Sequence, residues 1–172
     1  STSHQDALEK LDALGSGTTA ANTVGGGPSA TLMGNAVFNG TGGVTLNGTS
    51  GTYINLGANL LTSSSVTIEG WFSYSVGNNN VHLFAFDDGT GTGTQNGGGW
   101  NGNYLRYNVY DSGHAGGVSW VEIPNLGNPS GGVLNGTTVL PQNQLMHTVI
   151  VYDPANNAES LYVNGVLQST VT

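Results

Sequence analysis

Cysteine is absent from the 172 residues, so the chain can form neither a disulfide nor a thiolate metal site, and its redox compartment leaves no mark. Cations are nearly absent as well. Lys10 and Arg106 stand against ten acidic residues, for a formal charge of -8. Such a surface repels phosphate backbones and anionic membranes, which excludes nucleic acid as a partner. No apolar run approaches the ~20 residues that span a bilayer, so no membrane insertion is expected. No signal peptide is readable at Ser1, which suits a mature secreted piece as well as a cytosolic one. Two catalytic signatures are missing: there is no G-x-S-x-G elbow and no H-E-x-x-H pair, and His4, His82, His114 and His147 are too scattered to suggest a metal site.

What is present is glycine, at 29 positions, with threonine, serine and asparagine around it, a composition dense in turns and poor in helix formers. Valine, isoleucine, leucine and aromatic residues recur among them in strand-like alternation, so the chain reads as an ordered all-β protein of one domain. Strands are expected near 30–33, 36–39, 43–46, 52–56, 66–74, 81–86, 104–110, 118–123, 145–152, 159–163 and 166–171, separated by intervals typical of a sandwich. In "SVTIEGWFSY", Val66, Ile68 and Phe72 alternate with Thr67, Glu69, Trp71 and Ser73. In "NYLRYNVYD", Leu105, Tyr107 and Val109 alternate with Tyr104, Arg106, Asn108 and Tyr110. One face of each strand is therefore apolar and the other polar. "LMHTVIVYD", from Leu145 to Asp153, is almost continuously apolar, as in a central strand buried on both sides.

Asn164-Gly165, flanked by Leu161, Tyr162, Val163 and then Val166, Leu167, predicts a two-residue hairpin turn, since both residues accept positive φ. Asn-Gly-Thr triplets at Asn39, Asn47 and Asn135 match the glycosylation acceptor pattern, and turns are the favoured reading of them. At the start, Ser3 precedes Asp6 by three residues and Leu8, Leu11 and Leu14 follow at helical spacing. A short amphipathic helix or irregular arm is expected there, ended by Gly15, with loop from Gly15 to Gly27.

The stretches "GSGTTAANTVGGG", "VTLNGTSGTYINLG", "SSSVTIEGWFSY", "HLFAFDDG" and "HTVIVYDPANNAESLYVNGVLQS" resemble, in order and spacing, bacterial laminin-G-like domains of the concanavalin A-like lectin/glucanase superfamily. The resemblance covers roughly residues 15–172 and implies a jelly roll of two antiparallel sheets, one of them concave. It also implies glycan or protein binding outside the cell. Family members begin with a strand bearing aromatic residues and an Asp, where this chain has Ala13 and Leu14, and they continue past "YVNG" into further strands. The expected organisation is an N-terminal arm over 1–15 and a sandwich over 16–172 without its last strand. One sheet edge would then be incomplete: either the chain is a cut piece of a larger protein, or residues 1–14 fill the edge, or a second copy donates a strand in a surface assembly.

A retaining glycosidase needs two carboxylates about 5 Å apart, and Glu69 is the only acid on its strand, while Asp111 and Glu122 are isolated. No enzymatic activity is expected. Glu69, Trp71, Tyr104, Arg106, Asn108 and Tyr110, with Trp100 and Trp120 near loop ends, supply the aromatic faces and planar polar groups that a sugar requires. The competing reading has loops over Trp71 and Glu69 paired with Arg106. Asp87 and Asp88 open a Gly-rich loop whose carbonyls, with Gln95 or Asn96, make calcium the candidate cofactor; a plain turn at Asp88-Gly89 is the alternative. His147 reads as a strand residue with a satisfied hydrogen bond. These features together describe an extracellular or cell-surface binding and adhesion module with a glycan or surface protein as partner. The alternative is a structural subunit that forms homo-oligomers by strand exchange.

Overall fold

Apolar residues at every second position, with glycine and asparagine at the reversals, favour extended backbone throughout, and every regular element among the described residues is a β-strand. The computed structural model describes residues 15–23, 27–58, 60, 65–75, 81–87, 104–113, 117–123, 132–153, 156 and 158–171. The chain divides into two units, Ser1–Thr62 and Ser63–Thr172. That division falls inside the stretch expected to be one domain.

The first unit holds β1 (Gly15–Ser16), β2 (Thr19–Ala20), β3 (Ala30–Met33), β4 (Val37–Phe38), β5 (Val44–Thr45) and β6 (Tyr53–Asn55). The sheet order is β1-β2-β3-β6, with β4 and β5 paired separately. The sequence assigned Gly15 to the end of a helix and a loop beyond it; Gly15 instead opens β1, because Gly17 turns the chain at φ 61° and lets Gly15 and Ser16 pair with Ala20 and Thr19. The helix expected over 4–14 lies outside the described residues. Two of the Asn-Gly-Thr triplets are side-chain-capped turns. Asn39 Oδ1 accepts from the Thr41 and Gly43 amides, both at 2.9 Å, and Asn47 Oδ1 accepts from the Thr49 amide at 3.1 Å and hydroxyl at 2.8 Å.

The second unit is an antiparallel sandwich. β7 (Val66–Phe72) begins one sheet, and β8 (Val81–Asp87), β9 (Tyr104–Tyr110), β10 (Trp120–Ile123) and β11 (Gly132–Asn135) form the other as a meander. The chain then returns as β12 (Met146–Asp153) beside β7, followed by β13 (Ala158–Val163) and β14 (Val166–Val171), giving the order β14-β13-β12-β7. Asn164 at φ 50° and Gly165 at φ 76° make the β13–β14 turn that their sequence predicts. β11 is not anticipated, since only Val133 and Leu134 lend it an apolar signal.

The inward positions of the two sheets meet in one core. Phe72, Met146, Ile150, Leu161 and Val163 come from one sheet and Leu105, Tyr107, Val109, Val121 and Leu134 from the other. Each such aliphatic side chain contributes roughly 1.5–3 kcal/mol by leaving water. Tyr74, just past β7, donates its buried hydroxyl to the Leu140 carbonyl at 2.6 Å, anchoring the segment that leads into β12. β12 is central in its sheet, as expected, but not buried on both sides. Met146, Thr148 and Ile150 are buried, whereas His147, Val149 and Val151 are half-buried on the outer face. That outer face carries the first candidate site.

Candidate functional site

Antiparallel pairing of β7 with β12 sets Trp71 opposite His147 and Glu69 opposite Val149. Because residues two apart share a face, Thr67, Glu69 and Trp71 all point outward while Phe72 enters the core. Trp71 is 67% exposed, a large apolar surface left in water. Its ring rests on His147, with centroids 4.8 Å apart and planes inclined at 31°. The Glu69 carboxylate lies beside the same imidazole, Oε2 at 3.9 Å from Nε2. The imidazole is thus the floor on which an indole and a carboxylate converge.

His147 is itself held from the far side. Its amide donates to Asn164 Oδ1 at 2.9 Å, and the Asn164 amide donates to the His147 carbonyl at 2.8 Å. This reciprocal pair ties the β13–β14 turn to β12 and fixes the ring's backbone. Along the sheet the outer face continues through Val149, Tyr162 and Leu167, which are successive cross-strand neighbours. The result is an exposed platform on paired strands, with the Trp71 indole and the Glu69 carboxylate side by side on β7. No second carboxylate is a same-strand or cross-strand neighbour of Glu69, whose neighbours are Thr67, Trp71 and Val149. Among the described residues Glu69 thus has no carboxylate partner of the kind that glycosidic cleavage uses, and the exposed indole suits binding.

Arg106, Asn108 and Trp120 occupy the opposite outer face, on the β8–β11 sheet, whereas Tyr110 packs against the core. Arg106 and Asn108 point away from the core that Leu105, Tyr107 and Val109 enter. The Arg106 guanidinium lies 4.8 Å from the Trp120 ring centroid, a cation–π contact. Trp120 pairs with Asn108 and Glu122 with Arg106 in the β9–β10 register. This face is covered: Trp120 is buried, and Asn108 is fully buried with neither amide atom hydrogen-bonded. Tyr110 is half-buried, its ring 6.3 Å from that of Tyr74. Tyr104 opens β9 opposite Asp87. The side chains of Tyr104, Asp87 and Glu122, and residues Trp100 and Asp88 entirely, lie outside the described residues.

The described members of the eight-residue platform thus do not share one face. Glu69 and Trp71 sit on one outer face, while Arg106, Asn108, Trp120 and the strand position of Tyr104 lie on the other. The competing Glu69–Arg106 ion pair is corrected by the same geometry, as Glu69 faces His147 and Arg106 faces Trp120. Nor is Trp71 buried: it is largely exposed. Among the described residues no three His, Asp or Glu side chains gather where they could hold a metal ion.

Burial perturbs several acids. Glu159 on β13 is only 7% exposed and its Oε1 has no hydrogen-bond partner, so desolvation pushes its carboxyl up to about 7. Its cross-strand neighbour Tyr152 is raised first by burial and then by the adjacent Glu159 charge. Tyr107 is raised by burial, offset in part by the Ser119 and Thr148 hydroxyls beside it.

The model of a laminin G-like family, described as the Concanavalin A-like lectin/glucanases superfamily, matches residues 47–172. The chain belongs to this superfamily. The match takes in the whole second unit and hence both outer faces of this laminin G-like sandwich. No curated protein and no solved structure shows significant similarity to it. Two contributors to the Trp71 platform were not singled out for it by their sequence: His147 and Asn164. The usable signal was parity, since His147 alternates with Met146 and Thr148, but it becomes informative only once β7 is known to pair with β12.

Proposed function

We propose that the protein is a non-catalytic binding and adhesion module, acting outside the cell or at its surface, that holds a glycan on the Trp71 platform. The observation that carries this reading is an indole 67% exposed yet held against His147 on a rigid strand. An exposed aromatic face of this kind complements the apolar face of a pyranose, and the neighbouring Glu69 and the backbone-anchored His147 offer acceptors and donors for hydroxyls. The superfamily includes lectins, which agrees in kind. A glycan array followed by calorimetric titration tests it: Trp71→Ala should abolish binding while leaving the melting temperature nearly unchanged, because that side chain buries little. Binding that survives in Trp71→Ala would remove the platform from the mechanism.

Calcium at the Asp87–Asp88 turn belongs to the same proposal, with Asp87 fixed in sequence at the end of β8. A rise in melting temperature on adding calcium, lost in an Asp87→Asn, Asp88→Asn variant, supports it. A second reading rests on sheet order. β7 has β12 as its one strand neighbour among the described residues, so its other side is a margin that a second chain could extend. Light scattering after size exclusion decides this: a concentration-independent monomer argues against strand exchange.

A further inference from the structure

We infer that the ligand of the Trp71 platform carries a protonated amine, and that the chemical class it fits is an amino sugar. This inference rests on the platform reading above and names the ligand within it. The permanent charge around the site is negative, with His147 charged only when protonated. The chain's formal charge is -8, and the Glu69 side chain beside the indole is 69% exposed. Among the described residues the only arginine, Arg106, lies over Trp120 on the opposite face of the sandwich. A sulfated or uronic glycan would therefore meet repulsion from both the site and the whole surface. A cationic sugar would be attracted by both.

The local geometry points the same way. Trp71 and Glu69 converge on a single imidazole, one by ring stacking at 4.8 Å and the other at 3.9 Å. A ring resting on Trp71 thus has a carboxylate at its edge. An ammonium there meets the negative face of an indole, the strongest aromatic partner of a cation, and a carboxylate that already stands in place. A small quaternary ammonium fits less well, because aromatic cages surround such a group with several faces, and this site offers one open indole backed by His147. A pyranose bearing an amine uses the flat indole for its ring and Glu69 for its charge. Tyr162 and Leu167 extend the same outer face across the sheet, beyond Val149, for further units.

The test compares glucosamine oligomers with N-acetylglucosamine oligomers of equal length, titrated at about pH 6 and low salt, where the sugar amine, more acidic than an α-amino group because of its neighbouring oxygens, is mostly protonated. The wild-type protein should bind the glucosamine oligomer roughly 3- to 30-fold more tightly, the range of a single cation–π contact. The preference should shrink when salt is added. Glu69→Gln should narrow the preference by removing the carboxylate while leaving the indole, and Trp71→Ala should abolish binding of both. Thermal melts of both variants should match wild type, since both side chains are exposed. Equal affinity for the two oligomers, or preference for the acetylated one, with Trp71→Ala still abolishing binding, overturns the amine inference and leaves the platform reading standing. Amine-selective binding that persists in Trp71→Ala, or no binding of either oligomer, overturns the platform reading and this inference with it.

Discussion

Glu159 makes the stability of the sandwich depend on pH in a direction opposite to that of most carboxylates. In the folded protein its carboxyl is pushed from the ordinary 4.5 to about 7 by burial on the inner side of β13, beside Tyr152. Below pH 4.5 it is protonated in both folded and unfolded chains and contributes no pH dependence. Between 4.5 and about 7 the unfolded chain releases the proton while the fold retains it, so stability falls as pH rises; above about 7 the loss is complete. The full gap corresponds to about 3 kcal/mol, and because the carboxyl is not wholly cut off from solvent we expect about 2 kcal/mol. For a unit of this size that is a fall in melting temperature of about 8–9 °C. Calorimetric melts of wild type and Glu159→Gln, taken across this interval, isolate the group from all other titrating residues. The wild-type curve should descend relative to the variant, and the neutral glutamine should be the more stable form on the alkaline side. Two curves that run parallel from acid to alkaline pH would refute the assignment of a buried, unpartnered carboxyl.

Ile150→Ala should destabilise by about 3 kcal/mol, since the residue is fully buried at the centre of the core, whereas Leu145→Ala, at a position 66% exposed, should stay within about 0.5 kcal/mol; urea midpoints compare them. Asn164→Gly keeps the positive φ of the turn but loses the acceptor for the His147 amide, at a cost of about 1 kcal/mol. Asn164→Ala should be worse because alanine resists φ 50°, and amide exchange at His147 reports both. Gly34→Ala places a Cβ 2.5 Å from the Gly51 carbonyl oxygen at φ 62°, so melting or exchange of the first unit should show a loss of about 2 kcal/mol or more.

The strands were largely legible because period-two alternation is local. Tyr104–Tyr110 and Val166–Val171 fall where their patterns place them, and Leu105, Tyr107 and Val109 enter the core as their spacing requires. Asn164-Gly165 was legible for the same reason, since a turn needs only its own dihedral angles. The site was less so. Alternation says that Glu69 and Arg106 face away from the core, but not that they lie on opposite outer faces of the sandwich, which follows from the strand order of two separate sheets. The stack of Trp71 on His147 joins residues far apart in sequence through the β7–β12 register. Asn108 looked like a surface amide by parity and is fully buried, because what lies over a sheet face is not written in the strand. β8 shows a further limit: its register shifts between Val81 and Phe84 break the simple alternation there.

The scarcity of basic residues turns Arg106 into a reporter. A protease that cuts after lysine or arginine finds two targets in the whole chain, and one of them lies in a strand flanked on both sides, its guanidinium laid against a buried indole. Cleavage there requires the β9 backbone to leave its sheet and enter an enzyme cleft, so the rate of that single internal cut follows the opening of the sandwich itself. Digestion of the intact protein can therefore serve as a clock for global unfolding, readable as one fragment boundary on a gel.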